Sequence, residues 1–308
     1  MIKELQERAA QIAQRQGVLV QPRSTPDVPD VIVGVLDKLV TPSAHPDTLA
    51  AIAQADTVVL DQQQRVFGEV VVRLIVVSEN GTTDIAPLPG TTLELDVILV
   101  KQGVDATLTL HNRASGTLRH EIIVERDAKI LLCVCHSDAG GRCTRQTVLQ
   151  GSGAKLIERE CVVGSGDIAL DSVVVHAVRD TSADILQCGV VGGSGRARST
   201  GILRVLPRSD GTNTFLATHW LLLGADAGAS AIPSLEIEAN DVRATHSATV
   251  RPIDEKQLFY MRSRGLTESD ARRLIINGFI QPALDAWPDG RRQLLESALR
   301  LSLEALDG

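Results

Sequence analysis

The chain has 308 residues, 44% hydrophobic yet only 2% aromatic, with four Phe, two Trp and one Tyr, so Val, Ile, Leu and Ala must fill one large core or two without the usual rings. Lys plus Arg is 31 against 38 Asp plus Glu, a net charge of −7 with no basic run, which excludes the electrostatic footprint and the stacking platform of a nucleic-acid binder. No stretch approaches the roughly 18 uninterrupted apolar residues of a membrane span, and the charged start Met1-Ile2-Lys3-Glu4-Leu5 lacks a signal-peptide h-region, so the expected compartment is the cytoplasm.

The first element is an amphipathic helix over residues 2–16, with Leu5, Ala9, Ile12 and Ala13 on one face and Gly17 as its stop. Pro22, Pro26 and Pro29 then break regular structure and predict an exposed connection. A second helix is predicted from Pro46-Asp47 to about Ala55, capped by Asp47 and lined by Leu49, Ile52 and Ala53. Val58 to Leu60 and Val66 to Val77 read as strands, the latter ended by the tight-turn signal Asn80-Gly81.

From about Thr91 to Val250 short strands alternate with small-residue or charged turns. These are Arg113-Ala114-Ser115-Gly116, Arg126-Asp127, Gly151-Ser152-Gly153, Gly164-Ser165-Gly166, Asp180-Thr181-Ser182, Gly192-Gly193-Ser194-Gly195, Ser209-Asp210-Gly211 and Gly224-Ala225-Asp226. Ala128-Lys129-Ile130, Ala154-Lys155-Leu156 and Ala183-Asp184-Ile185 repeat a small-polar-aliphatic start, as one coil of two strands and two turns would. A β-sandwich and a parallel β-helix both fit. The scarcity of rings favours the β-helix, because stacked coils are filled by aliphatic ladders. The tail returns to helix: Thr267-Glu268-Ser269-Asp270 is a capping box, Ala271, Leu274 and Ile275 make a stripe, and Asn277-Gly278 predicts a left-handed stop. Pro288-Asp289-Gly290 reads as a turn before a last helix carrying Leu294, Leu295, Ala298, Leu299 and Leu306.

Five cysteines are the groups with the most chemistry to offer: Cys133, Cys135, Cys143, Cys161 and Cys188. An odd number at irregular spacings does not make a disulfide framework. In Cys133-Val134-Cys135-His136 the two thiols project to one face of a strand. A structural zinc site would need a second pair, which the chain lacks, so a metal or cluster site and a set of buried inert thiols both remain open. Gly164-Ser165-Gly166-Asp167-Ile168-Ala169 fits the dinucleotide fingerprint as a string, but a strand-like Ser172-Val173-Val174-Val175 follows it instead of a helix, so it reads as a turn. No phosphate-binding Gly-x4-Gly-Lys-Ser/Thr occurs. His246, between Asp241 and Asp254, and His219 are lone histidines, and no Ser/His/Asp triad can be read from spacing.

A run of residues near the C-terminus goes further. Ile232-Pro233-Ser234-Leu235-Glu236-Ile237, Asp241-Val242, His246, Ala248-Thr249-Val250, Ile253-Asp254-Glu255, Gln257-Leu258-Phe259-Tyr260, Ser263-Arg264-Gly265, Ala271-Arg272 and Ile276-Asn277-Gly278-Phe279 strongly resemble the C-terminal signature of the SufB/SufD scaffold family, the core proteins of the SUF iron–sulfur cluster assembly machinery. Gly189-Val190, Ser199-Thr200-Gly201-Ile202-Leu203-Arg204-Val205 and Leu221-Leu222-Leu223 also look like that family, and the resemblance covers about residues 120–285. It implies a mainly β fold: a right-handed parallel β-helix core over 91–250, an N-terminal helical or mixed segment over 1–90 and a C-terminal helical segment over 251–308.

The function it implies is a scaffold, not an enzyme, on which an iron–sulfur cluster is built transiently and passed on. The implied partners are a SufC-like ABC-type ATPase, a second scaffold chain that is either a copy of this one or a paralogue, and a sulfur donor protein; nucleic acid and membrane are not among them. By resemblance the ATPase would meet Gln257, Phe259, Tyr260, Arg264, Gly265 and Phe279. Cys135 falls at the family's sulfur-accepting cysteine, with Cys133 as a close alternative and Arg142 or Arg145 as the cation favouring its thiolate. His246, with one or more of Cys133, Cys143, Cys161 and Cys188, would hold the nascent cluster, since thiolates with an occasional His ligate such clusters. Two positions depart from the pattern: Ser247 stands where SufB-type chains have Glu and SufD-type chains Gly, and Thr218 stands where SufB-type chains have Cys. That second departure supports an alternative role as a non-ligating, SufD-like architectural subunit.

Overall fold

The computed structural model describes residues 2–15, 57–60, 70–86, 93–112, 117–137, 140–293 and 296. The N-terminal helix is present as α1 (Ile2–Arg15), with Ala9 and Ala13 buried. The proline-rich connection, the helix expected at 46–55, the turn at 113–116 and the last leucine-rich helix lie outside the described residues.

Fifteen strands among the described residues form two sheets. The first holds, in spatial order, β1 (Thr57–Leu60), β2 (Val70–Val77), β4 (Leu93–Val100), β6 (Thr117–Val124), β8 (Gly141–Leu149), β10 (Asp167–His176), β12 (Arg196–Val205) and β14 (Gly228–Ile237). The second holds β3 (Gly81–Ile85), β5 (Asp105–Asn112), β7 (Lys129–Ser137), β9 (Lys155–Gly164), β11 (Ser182–Gly192), β13 (Thr212–Leu223) and β15 (Val242–Pro252). From β2 onward the chain alternates between the sheets, and the paired strands are parallel, for example Asp105↔Lys129↔Lys155↔Ser182. This is a parallel β-helix of about six turns. Its ladder reaches back to β1, before residue 91.

The corners explain how the coils stack. Asp127, Asp180, Gly153 and Gly211 all take positive φ, at 56°, 58°, 78° and 77°. Their amides tie one coil to the next: Asp127 N–H donates to Ser152 O, Gly153 to Asp180, Asp180 to Asp210 and Gly211 to Asp241, at 2.7 to 3.1 Å. A Cβ on Gly153 would lie 2.2 Å from the Asp127 carboxylate, so only glycine fits that corner. Asn80-Gly81 is likewise a turn, but it hands the chain from one sheet to the other instead of closing a hairpin. Within the three-fold sequence repeat, Ile130 pairs with Leu156 as expected, whereas Leu156 pairs with Ala183, so the third unit is displaced by two residues.

Aliphatic side chains fill the interior: Ile98, Leu108, Leu110, Ile122, Leu132, Val134 and Leu156 belong to one buried cluster. Each is worth roughly 1.5–3 kcal/mol of transfer free energy. One ring departs from this aliphatic filling. Trp220 is buried on β13 over Gly189, whose missing side chain leaves the space it occupies.

Two helices follow. Asp254 caps α2 (Glu255–Ser263) by accepting from Lys256 N at 2.9 Å, and Thr267 caps α3 (Glu268–Leu284) by accepting from Asp270 N at 3.1 Å. The expected stop at Asn277-Gly278 is absent: α3 runs on for six residues, because Ile276, Ile280, Ala283 and Leu284 bury one face on the second sheet. Packing outweighs the local stop signal there. Pro288, expected in a turn, starts a further helical turn, its carbonyl accepting from Arg291 and Arg292 N–H.

Candidate functional site

The second sheet carries one register column across its outer face. His111 on β5, Cys135 on β7, Cys161 on β9, Cys188 on β11, His219 on β13 and Thr249 on β15 occupy successive positions. Neighbouring strands lie about 4.8 Å apart, so each thiol stands one strand spacing from the next. Alternation decides the face. Ile130, Leu132 and Val134 of β7 point into the β-helix, which turns Cys133 and Cys135 outward toward α3. Glu160 and Gln187 point inward on β9 and β11, and Cys161 and Cys188 turn outward after them.

α3 closes over these four thiols with Ile276, Ile280, Ala283 and Leu284, joined by Trp287, whose ring meets His111 edge-on at 5.5 Å. All five cysteines of the chain are free and buried. Burial pushes Cys133 and Cys188 up to about 12, against the opposing pull of Arg159. Cys161 is driven well above the ordinary thiol range by burial and then by Cys135, Cys188 and Glu160 beside it. Cys133, Cys161 and Cys188 are therefore protonated and unreactive while covered. His219 Nδ1 lies 2.7 Å from Thr249 Oγ1, and burial with Arg251 nearby lowers its pKa.

Inside the β-helix runs a second, polar system. Arg145 on β8 binds Glu158 at 2.6 Å and Glu160 at 3.1 Å; Glu160 also meets His136 Nε2 at 2.8 Å and accepts from Gln187 Nε2 at 2.6 Å. The Thr218 hydroxyl continues the line by donating to Gln187 Oε1 at 2.8 Å. Burial opposes ionisation of Glu160, but Arg145 and His136 overcome it and hold the carboxyl down to about 2. For Glu158 burial wins and the pKa is raised. On the other side of His136, Asn112, Cys143 and His120 follow at 3.3, 3.9 and 3.8 Å, and His120 faces Asp96 at 3.6 Å. Asp96 and Glu94 clasp Arg73. Burial and the surrounding guanidinium groups push His120 well below its ordinary value, and burial lifts Cys143 to about 12.

The residues singled out from the sequence thus fall in three places. Cys133, Cys135, Cys161 and Cys188 come together under α3. Cys143 lies inside, on the first sheet. His246 lies on β15 in register with Leu216, exposed at the open end of the β-helix, where β14 and β15 are the terminal strands of the two sheets. Among the described residues no group of three or more His, Cys, Asp and Glu side chains is arranged to hold a metal ion. Of the expected cations, Arg145 is bound to Glu158 and Glu160 and Arg142 pairs with Asp171 at 3.7 Å; Arg159 is the one that acts on Cys133 and Cys188. Gln257, Phe259, Tyr260, Arg264 and Gly265 are exposed on α2 and the turn after it, Phe259 at 75% and Tyr260 at 58%, with the Arg264 guanidinium 5.2 Å from the Tyr260 ring. Phe279 is half-buried under Arg251. The interior polar line went unread, although its signal is visible: Leu93-Glu94-Leu95-Asp96-Val97 and Glu158-Arg159-Glu160 put charges at inward positions of buried strands.

Similarity to known proteins follows the same region. The chain is 38% identical over 100 residues to the iron–sulfur cluster assembly protein SufD of Escherichia coli, a match covering 32% of this chain and 24% of that protein. It is 30% identical over 178 residues to SufD of Bacillus subtilis, covering 56% and 41%. It is also 30% identical over 135 residues to an iron–sulfur cluster assembly SufBD family protein of Mycobacterium tuberculosis, covering 44% and 16%. It spans less than half the length of each of these relatives. The family profile described as "SUF system FeS cluster assembly, SufBD core domain" matches residues 97–279, more than half of the chain, from within β4 through most of α3. The chain belongs to the SufBD core-domain family of the SUF iron–sulfur cluster assembly system.

Proposed function

We propose that the protein is a scaffold subunit that accepts sulfur and iron, holds an iron–sulfur cluster as cargo and works with an ABC-type ATPase. The observation that carries this reading is the gathering of four of the five thiols on one covered face of the second sheet. Cys135 is the sulfur acceptor; Cys133, Cys161 and Cys188 beside it supply further thiolates once α3 moves, with Cys143 inside and His246 at the open end as ligands from other surfaces. Divided ligands suit a scaffold, which must release its cargo. The edges of β14 and β15, unpaired among the described residues, support docking of a second scaffold chain there, which would bring its own groups to His246. The exposed Phe259 and Tyr260 support docking of the ATPase, which supplies the ATP hydrolysis this chain has no motif for.

Anaerobic reconstitution with iron and sulfide tests the reading. Wild type should develop cluster absorption that Cys135→Ser weakens; no iron above background in either chain refutes it.

One observation favours a second reading, an architectural SufD-like subunit. Thr218 replaces a thiolate at a family position and spends its hydroxyl on Gln187. Such a subunit would co-purify with the ATPase yet carry no iron when produced without another scaffold chain.

A further inference from the structure

Three of the five cysteines occupy one register position on three consecutive strands, Cys135↔Cys161↔Cys188, with no other residue between them in the column. The column has a direction. It starts on β7, in the middle of the β-helix, and leads through β9 and β11 toward β13 and β15 at the open end, where His219 and Thr249 continue the same position. A helix lies on it whose inner residues Ile276, Ile280, Ala283 and Leu284 are apolar, so no water-bearing polar group separates the thiols from their cover.

We propose that Cys135, Cys161 and Cys188 form a relay that carries sulfane sulfur across the second sheet toward the open end, closed while α3 covers it and working when α3 lifts. The relay rests on the reading of Cys135 as the sulfur acceptor. Spacing makes the step feasible. A persulfide lengthens Cys135 by one S–S bond of about 2.05 Å, which spends nearly half of the roughly 4.8 Å between strands and brings its terminal sulfur to the neighbouring thiol.

The chemistry balances without an oxidant. The Cys161 thiolate attacks the terminal sulfur of Cys135–S–SH; a new S–S bond forms to Cys161, the bond to Cys135 Sγ breaks, and Cys135 leaves as thiolate and takes the proton that Cys161 gave up. The sulfane sulfur keeps its oxidation state, so the exchange is nearly thermoneutral and runs down whatever sink lies at the far end. Cys188 repeats the step on Cys161. The first persulfide comes from a low-molecular-mass or protein persulfide donor. The cover has a handle: the two-helix layer that buries Leu258, Ile276 and Ile280 inward exposes Phe259, Tyr260, Leu266 and Leu274 outward, so a partner gripping the outside acts on the lid.

The full-length chain, reduced and held anaerobically, is treated with glutathione persulfide, quenched with iodoacetamide in denaturant and mapped by peptide mass spectrometry over time. Trp287→Ala, which trims the cover beside the column, should raise labelling at least several-fold over wild type, with Cys135 labelled first, Cys161 second and Cys188 last. In the same background Cys161→Ser should keep label on Cys135 and cut it at Cys188 at least tenfold; Cys161→Ala serves where the serine variant fails to fold by circular dichroism. Undiminished label on Cys188 in the Cys161 or Cys135 variants shows delivery from solvent and overturns the relay. Label that stays on Cys135 alone overturns the relay and leaves the acceptor reading standing. No label on Cys135 overturns both.

Discussion

Replacing Arg145 with Met removes the one guanidinium among the described residues that binds both Glu158 and Glu160, at 2.6 and 3.1 Å, in the interior of the β-helix. Methionine fills much of the same volume, so the change is mainly electrostatic. Removing one partner of a buried ion pair costs about 3–5 kcal/mol, and here one cation serves two carboxylates, which places the expected loss at about 4–5 kcal/mol. At about 2–4 °C per kcal/mol for domains of 150–250 residues, the melting temperature should fall by about 8–20 °C at pH 7. The pH dependence gives an independent check. In wild type Glu160 sits at about 2, below its unfolded value of 4.5, so its contribution is complete above that unfolded value and is lost as pH falls toward 2. In the variant burial is no longer opposed by Arg145, the two carboxyls take up protons readily, and acid relieves the penalty. The gap between wild type and variant should therefore narrow between pH 7 and pH 4. Far-UV circular dichroism melts at both pH values measure it. A loss under about 2 °C at pH 7, or a gap unchanged at pH 4, would refute the account of a buried ion cluster held by Arg145.

Cys133 and Cys188, raised to about 12, should react with iodoacetamide at pH 8 roughly a thousandfold slower in the folded chain than after denaturation, and faster as pH rises. Site-resolved mass spectrometry reads this, and equal rates before and after denaturation would show that the thiols are open. Gly189→Val sets a Cβ 2.2 Å from the Trp220 ring; the overpacking should cost about 1–3 kcal/mol in a denaturant titration. Phe259→Glu with Tyr260→Glu changes two exposed rings, so stability should stay within about 1 kcal/mol while retention of an ABC-type ATPase partner in a pull-down falls at least tenfold. Unchanged retention would move the docking surface elsewhere.

The regular part of this fold was legible because its signals are local. Turn residues at corners, aliphatic strands between them and the scarcity of rings pointed to stacked coils, and Asp127, Gly153, Asp180 and Gly211 stand where the turn chemistry placed them. Errors arose where a distant partner outweighed a local preference. Asn277-Gly278 reads as a stop only until the sheet offers Ile276 and Ile280 a surface, and Trp220 sits inside only because Gly189 lies across from it on the next strand. The thiols show the same limit. Spacing put Cys133 and Cys135 on one face but gave no reason to place Cys161 and Cys188 beside them and Cys143 apart, because that depends on which residue of each coil faces which of the next. Arg145, first expected beside the acceptor, turned out to hold Glu158 and Glu160, since strand alternation sends it inward.

The steps along the outer column are 24 residues from His111 to Cys135, then 26 to Cys161, 27 to Cys188, 31 to His219 and 30 to Thr249. The difference is taken up outside the paired stretches, where a few extra residues cost little closure entropy. Length changes in corners and changes in strands therefore have opposite fates. A residue added at a corner leaves every pairing intact and only enlarges one coil, whereas a residue added within β9 would turn Cys161 from the covered face to the interior and bring Glu160 out beneath α3. A family built this way can vary its coil sizes widely and still keep the same side chains stacked, and its members are better compared by pairing position than by distance along the chain.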